Sequence, residues 1–188
     1  MLLIVGLGNP GKEYANTRHN IGREISDAFC KEMDLPEPRF EKKWKAQVSE
    51  GKVNREKVAV IAPDTFMNKS GNAVLAATRH FKIKPKNIFL IHDDADILFG
   101  RAKLSFGKRS AGHKGVESVM RALKTREFWR FRIGIAGKRD IPAEKFILKK
   151  FTPEEMRMVK KVVKRTVEAL KQAIIEGPER AMNVYNAQ

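Results

Sequence analysis

Residues 6–22, GLGNPGKEYANTRHNIG, decide between two interpretations of this chain. Their first six residues match the pattern G-x-G-x-x-G, and they follow an apolar run, LLIV at residues 2–5, that is typical of a β-strand. A strand followed by this pattern is the signature of a dinucleotide-binding unit, in which the helix begins at the glycines and its N-terminus meets the pyrophosphate. The alternative is a loop that serves other chemistry.

The residues that follow the glycines argue against a dinucleotide site. Helical periodicity begins only near Ile21, and residues 12–20 have no apolar stripe, so we expect an extended loop between the strand and the helix. Pro10 lacks the backbone N–H that a phosphate would require. A nucleotide-cofactor enzyme therefore depends on GLGNPG alone, and tight binding of a dinucleotide would be needed to restore that interpretation.

Short β-branched runs alternate with helical patterns along the rest of the chain, which predicts an α/β fold. We expect a single domain over residues 1–188, with a mixed, largely parallel twisted sheet flanked by helices, of the phosphorylase/hydrolase-like type. Thr152, Pro153 and Glu155 predict the N-terminus of a long basic helical segment over about 152–186. The predicted strands are 2–5, 58–61, 88–91 and 131–135, with weaker ones near 45–48, 102–106 and 146–151, and the predicted helices are 21–33, 71–81, 116–123 and 156–175.

The charge of the chain is strongly positive and unevenly distributed. The formal net charge is +16, and residues 101–188 carry 22 basic and 9 acidic side chains, whereas residues 1–100 carry 16 and 13. An excess of this size in one half indicates a polyanionic partner, with nucleic acid the first candidate, although a lysine-rich solvated surface is the simpler alternative. The same two interpretations apply to the lysines of the last helix.

Cysteine usage and the N-terminus favour a cytoplasmic protein. Cys30 is the only cysteine, so no internal disulfide and no cysteine-based zinc cluster can form. The N-terminal apolar run is far too short to span a membrane and shows no secretory pattern. We expect no membrane partner.

Polar side chains follow three of the predicted strands. Asn9 and His19 follow the first strand, Asn68 follows the strand at 58–61, and Asp93 follows the strand at 88–91. In an open α/β sheet the carboxyl ends of the strands form the usual ligand crevice. A carboxylate beside an imidazole fixes its tautomer and helps it to take a proton from water, and amide groups can stabilise a developing oxyanion. The set predicts hydrolysis by an activated water.

Two other hydrolytic routes have less support. No serine lies in a G-x-S-x-G turn, and Cys30 shows no activating neighbour, so nothing requires a covalent intermediate. The segment HDDAD at residues 92–96 is rich in metal ligands, but no second histidine recurs at a ligand spacing, and we expect no metal.

Five motifs together resemble the bacterial-type peptidyl-tRNA hydrolase family over nearly the whole chain. They are, in order, GLGNPG with EYANTRHNIG, TFMNKSG, HDDAD with the following Gly100, KLSFGKRSAGHKG, and FRIGIAG. The resemblance implies a cytoplasmic, monomeric α/β enzyme that cleaves the ester joining a stalled peptide to its tRNA, without a cofactor, and so recycles tRNA for translation.

The resemblance also implies roles for individual residues. His19 matches the general base, Asp93 the acid that supports it, and Asn9 the asparagine that distinguishes N-blocked from free aminoacyl-tRNA. Other positions match residues that bind the substrate: Tyr14, Phe66 and Asn68 for the peptidyl-adenosine end, and Lys103 and Arg132 for the 5′ side of the tRNA.

One position departs from the family pattern. Members usually read G-H-N-G where this chain reads Gly112-His113-Lys114-Gly115, and the family's asparagine helps to bind the substrate and a water. Lys114 can still donate hydrogen bonds but cannot accept one. Directed into the crevice, its charge would disfavour protonation of His19, and directed outward it would add to the charge that faces the tRNA.

Two functions of different classes remain for this sequence. The first is the esterase, supported by the histidine, the acid and the amides together with the basic half. The second is a non-catalytic RNA-binding protein on the same fold, supported by Lys114 and by the positive charge. A hydrolysis assay separates them.

Overall fold

Four parallel strands form the centre of a seven-stranded mixed sheet in the computed structural model, which describes residues 1–137 and 146–187. The central strands pair in parallel in the order β4-β1-β5-β7, and antiparallel strands extend the sheet at both edges to give β2-β3-β4-β1-β5-β7-β6. This order confirms the predicted α/β class and the mixed, largely parallel sheet. The strands are β1 (Leu2–Gly6), β2 (Arg39–Glu41), β3 (Ala46–Val53), β4 (Glu56–Pro63), β5 (Ile88–Leu98), β6 (Ala102–Phe106) and β7 (Trp129–Ala136).

Helices cover both faces of the sheet because the central strands are apolar on both sides. Along β1, Ile4 packs into one core while Leu3 and Val5 pack into the other, as the two-residue period of a strand requires. The first core is closed by α1, α4 and α5, and the second by α2 and α3. The helices are α1 (Ile21–Glu32), α2 (Ser70–His80), α3 (Lys114–Leu123), α4 (Pro153–Glu176) and α5 (Pro178–Asn186).

The predicted start of the long C-terminal helix is confirmed in its details. Thr152 Oγ1 accepts a hydrogen bond from the Glu155 N–H, and the Glu155 side chain accepts one from the Thr152 N–H, so that the two residues form a capping box. The helix ends at Glu176, before Gly177. A second helix, α5, follows it. The sequence analysis predicted one helical segment over about 152–186 and did not separate α5 from α4.

The structure corrects one predicted segment and adds detail to another. Residues 146–151 were expected to form a weak strand, but they form turns, and only Lys150 makes a single antiparallel bridge, to Thr17. Residues 12–20 were expected to form an extended loop before the helix at Ile21, and that loop contains two short 3-10 turns, Lys12–Tyr14 and Arg18–Asn20. The strand expectation was wrong because residues 147–151 form hydrogen bonds with the irregular residues 16–19, more than 120 residues away in the chain.

Gly22, the last glycine of the opening stretch, serves helix packing. A Cβ atom on Gly22 would overlap the carbonyl oxygen of Ile91 and would lie 2.8 Å from that of Leu7. Only a residue without a side chain lets the first turn of α1 approach the ends of β1 and β5 this closely.

We therefore expect Gly22→Ala to lower the free energy of unfolding by about 2 kcal/mol, the usual cost of forcing extra atoms into a packed core. Chemical denaturation of the purified variant measures the change. Gly137→Ala is the matched control, because a Cβ there meets no atom of the described residues within 4 Å. Equal stability of the two variants would contradict the close approach of α1.

Within the described residues, no helix combines the length and the apolar character that crossing a bilayer requires.

Candidate active site

His19 and Asp93, 74 residues apart in sequence, meet at the carboxyl end of the central strands. His19 lies in the 3-10 turn that leads into α1, and Asp93 lies within β5. The pairing of β1 with β5 ends at Gly6 and Ile91, so the edge of β5 that faces β1 is open beyond Ile91. His19 Nδ1 lies 2.9 Å from Asp93 Oδ1 and 3.0 Å from Oδ2, and both side chains are buried.

The sequence suggested that Asp93 follows the end of its strand, but Asp93 lies within β5. β5 continues to Leu98 and pairs with β7 at Asp93 and Asp94, with an irregularity in the register before Leu98. Since pairing on the other side has already ended, Asp93 is held by one neighbouring strand only, and its carboxylate reaches the crevice.

A second imidazole binds the same carboxylate. His113 Nε2 lies 2.8 Å from Asp93 Oδ1. His113 is also the N-cap of α3, because its Nδ1 accepts hydrogen bonds from the backbone N–H groups of Gly115 and Val116. With Nδ1 acting as acceptor, the neutral imidazole carries its proton on Nε2 and donates it to Asp93.

The pKa of Asp93 lies well below its ordinary range. Burial alone would raise it, but the charges and hydrogen bonds of His113 and His19 outweigh burial. An ionised carboxylate can only accept hydrogen bonds, so the His19 nitrogen that faces it, Nδ1, carries a proton. The remaining nitrogen of a neutral His19, Nε2, therefore keeps its lone pair.

His92 forms the inner wall behind these groups. Its side chain is fully buried, its Nδ1 donates to the backbone carbonyl of Asp93 at 2.6 Å, and its ring lies edge-on to His113 with centroids 4.8 Å apart. Burial, followed by the neighbouring charges of His113 and Arg130, lowers the pKa of His92 well below the usual histidine value. His92 is therefore neutral and adds no charge to the cluster.

Asn9 is fixed by backbone groups on two sides. Its Oδ1 accepts from the Met67 N–H at 2.9 Å, which leaves the Nδ2 amide as the end that can donate to a substrate. Asn20 holds the Asn9 backbone, because Asn20 Oδ1 accepts from the Asn9 N–H and Asn20 Nδ2 donates to the Asn9 carbonyl. Sequence analysis did not predict this role of Asn20 in holding the Asn9 backbone. The available signal was its position directly after His19, in a loop that contains several asparagines.

A cavity of about 100 Å³ opens on the His19–Asp93 pair. Lys114 is exposed and lines its rim as the first residue of α3. The remaining wall comes from β5, from the loop before α3 and from residue 147: Asp94, Ala95, Ser110, Ala111, Gly112, His113 and Ile147.

The residues predicted to bind the peptidyl-adenosine end do not line this cavity. Phe66 is 60% exposed and directly precedes Met67, whose backbone N–H Asn9 binds, and Asn68 is exposed in the same turn. Tyr14 is half-buried in the first 3-10 turn, and its carbonyl accepts a hydrogen bond from the Thr17 hydroxyl. Neither Asn68 nor Tyr14 belongs to the cluster of His19, Asp93 and His113.

Lys103 and Arg132 face each other across β6 and β7, on one side of the sheet. Lys103 is exposed, but Arg132 is partly buried and its Nε donates to Asp94 Oδ2 at 2.7 Å. Arg132 therefore presents part of its charge to an acid next to Asp93, and Lys103 presents its charge to solvent.

His113 received no role at Asp93 in the sequence analysis, because it does not recur at a ligand spacing from the histidine of HDDAD, yet it joins the site. Ligand atoms of His19, Asp93 and His113 all lie within 4.8 Å of one another, a donor set of the kind that zinc accepts. The N-cap opposes this use, because a metal on Nε2 would move the His113 proton to Nδ1, where Gly115 and Val116 already donate. A signal for His113 existed: a histidine directly before an amphipathic helix is placed to cap it.

Comparison with known proteins gives one consistent result. Residues 3–188 match the sequence family described as peptidyl-tRNA hydrolase. A peptidyl-tRNA hydrolase of Desulfitobacterium hafniense (strain Y51) is 37% identical over 190 residues, which cover 99% of this chain and 100% of that protein. One of Aquifex aeolicus (strain VF5) is 38% identical over 187 residues, covering 99% and 96%. The crystal structure of peptidyl-tRNA hydrolase from Acinetobacter baumannii superimposes with a TM-score of 0.93 at 29% identity, covering 100% of this chain and 95% of that one.

Proposed function

Because this chain belongs to the family of peptidyl-tRNA hydrolases, we propose that it cleaves the ester bond of peptidyl-tRNA with a water molecule that His19 activates. The observation that carries the proposal is the hydrogen bond between His19 Nδ1 and the ionised Asp93, which leaves Nε2 as the proton acceptor. The non-catalytic RNA-binding alternative is not favoured, since the relatives are named as hydrolases.

The lone pair on His19 Nε2 determines how the reaction proceeds. His19 Nε2 takes a proton from water as the water oxygen attacks the ester carbonyl, and a tetrahedral intermediate forms. The intermediate collapses, the bond to the ribose oxygen breaks, and the imidazolium returns the proton to that oxygen. Asp93 stays ionised throughout and stabilises the positive charge of the imidazolium. Peptide and tRNA leave, and the base is restored.

The amides and the cationic side chains bind the substrate around this centre. Asn9 Nδ2 donates to the peptide part, and its orientation is maintained by Met67 and Asn20. Phe66 and Tyr14 supply apolar contact for the terminal adenosine, and Asn68 supplies a further amide. Lys103 and Arg132 contact phosphates of the tRNA, which adds affinity that falls as salt rises.

The chain requires no cofactor and no metal for this chemistry in the proposed mechanism. Peptidyl-tRNA is its substrate, and we propose that the protein acts in the cytoplasm as a monomer and has no membrane partner.

A hydrolysis assay with two substrates side by side tests the proposed function. N-acetyl-aminoacyl-tRNA and free aminoacyl-tRNA differ only in the blocked amine, so the assay reports reaction, substrate class and discrimination together. We expect rapid release from the blocked substrate and slow release from the free one. Binding of both without turnover would overturn the proposal.

We expect Lys114→Asn to leave kcat and KM within about tenfold of the parent, because an asparagine keeps a hydrogen-bond donor at the rim of the cavity. Steady-state kinetics on N-acetyl-aminoacyl-tRNA measures both constants. Complete loss of activity would mean that the ammonium group itself takes part in the reaction.

A further inference from the structure

The turn that carries His19 is tied to residues 146–151, which the sequence predicted to be an independent strand. The His19 N–H donates to the Ile147 carbonyl at 2.9 Å, and the Arg18 N–H donates to the Lys149 carbonyl at 3.1 Å. The Phe151 N–H donates back to the Asn16 carbonyl at 3.1 Å. Ile147 lines the cavity in front of His19, so the same segment fixes both the backbone and one wall of the site.

The side chain of Arg18 strengthens this connection. Its Nη1 donates to the carbonyl of Lys150 at 2.7 Å and to that of Lys149 at 3.3 Å. Its Nη2 lies 2.7 Å from both carboxylate oxygens of Glu155, and its guanidinium lies over the Phe151 ring at 5.0 Å. One guanidinium thus binds two backbone carbonyls, a carboxylate and an aromatic face, an arrangement that a lysine cannot reproduce.

Glu155 connects the same group to α4. Its carboxylate accepts from Arg18 and also from the Thr152 N–H in the capping box at the start of the helix. The Arg18 and Glu155 side chains are only 13% and 27% exposed, so their attraction is less screened than that of a surface pair. The first turn of α4, residues 147–151 and the turn before α1 therefore share one ion pair.

We propose that Arg18 and Glu155 form a positioning pair for His19. The inference rests on the proposed role of His19 as the base. Arg18 precedes His19 directly, and its contacts hold the 3-10 turn at the orientation from which the imidazole reaches Asp93. Small displacements of a reacting group lower the rate of a reaction far more than they lower substrate binding.

Two conservative substitutions separate positioning from simple structural support. Glu155→Gln keeps the capping box, since glutamine also serves at that position, but removes the charge that Arg18 binds. Arg18→Lys keeps the positive charge but loses the planar guanidinium, whose two terminal nitrogens bind the carbonyls and the carboxylate separately. We expect each to lower kcat on N-acetyl-aminoacyl-tRNA by about tenfold with KM changed less than about twofold, a pattern that reports loss of an interaction specific to the transition state.

The control and the double variant sharpen the test. Glu176→Gln makes the same chemical change in the exposed Glu176–Arg180 pair at the far end of α4 and is expected to leave kcat unchanged. In the Arg18→Lys/Glu155→Gln double variant we expect a loss close to that of either single variant, because both act through one interaction. Melting temperatures are measured in parallel.

Several results would overturn the positioning pair. They are unchanged kcat in both single variants, an equal loss in the Glu176→Gln control, and a loss that merely follows the unfolded fraction at the assay temperature. In each of these cases His19→Ala would still lower kcat by about 10²–10⁴-fold, so the proposed function would stand. Full activity of His19→Ala would overturn both.

Discussion

Replacing His19 by alanine should lower kcat on N-acetyl-aminoacyl-tRNA by about 10²–10⁴-fold, the contribution that a positioned general base makes. In the cluster of His19, Asp93 and His113, His19 Nε2 is the only imidazole nitrogen that keeps a lone pair outside the cluster's own hydrogen bonds. Without it, water must attack the ester unassisted. Substrate binding should change little, because the proposed contacts of the amide and cationic side chains do not involve His19.

Single-turnover measurements at saturating enzyme isolate this effect on the chemical step. His80→Ala is the matched control, since His80 is an exposed histidine that packs against Trp44 at the C-terminal end of α2. We expect the control to keep the parent rate. A His19→Ala protein that released peptide as fast as the parent would show that another group activates the water.

Replacing Asp93 by asparagine should have an effect of similar size, about 10²–10⁴-fold on kcat. The carboxylate accepts hydrogen bonds from both His19 Nδ1 and His113 Nε2. An asparagine offers one acceptor oxygen, and its amide N–H groups oppose one of the two imidazole N–H groups. If His19 turns to its other tautomer, with the proton on Nε2, the base is lost. If His113 gives way instead, the cap of α3 at the wall of the cavity is disturbed.

The Asp93→Asn protein should also differ from the parent in the pH dependence of its stability. A carboxyl group with a lowered pKa in the folded state stabilises the fold above its ordinary pKa of 3.8, and this contribution is lost as the pH falls from there toward the folded-state pKa. Unfolding midpoints measured from pH 2 to pH 7 should therefore separate the two proteins above about pH 5 and bring them together below pH 3.8.

Asp96→Asn is the control for both measurements. Asp96 lies in the same strand but is exposed, and its backbone N–H, not its carboxylate, is used by Asp94. The interpretation of Asp93 would fail if Asp96→Asn lost as much activity as Asp93→Asn.

The central sheet and the pairing of His19 with Asp93 could both be predicted from the sequence. The apolar runs in β1, β4 and β5 can be satisfied only by burial on two faces, which requires parallel strands covered by helices. Polar residues that follow such strands lie at one edge of the sheet wherever the strands are parallel. Topology therefore places His19 and Asp93 at the same edge of the sheet, whereas their contact also depends on the hydrogen bonds that hold the turn of His19.

The contacts that complete the site depend on tertiary structure that a local pattern does not encode. Residues 146–151, FILKKF, have the composition of a strand, but their backbone partners are the irregular residues 16–19, so no ladder can form. His113 lies in a glycine-containing loop, and its bond to Asp93 arises only when α3 packs on the sheet. Neither feature could be predicted from the local sequence, because both depend on contacts that form only in the folded protein.

The placement of Asp93 between two helix starts has an electrostatic consequence. His113 Nδ1 accepts from two N–H groups of the first turn of α3 and its Nε2 donates to the carboxylate, so the partial positive end of that macrodipole reaches Asp93 through one ring. On its other side the carboxylate accepts from His19, in the turn that leads into α1. Among the described residues its hydrogen-bond partners are thus two imidazoles and not a lysine or an arginine, so the anion does not depend on the ammonium group at position 114.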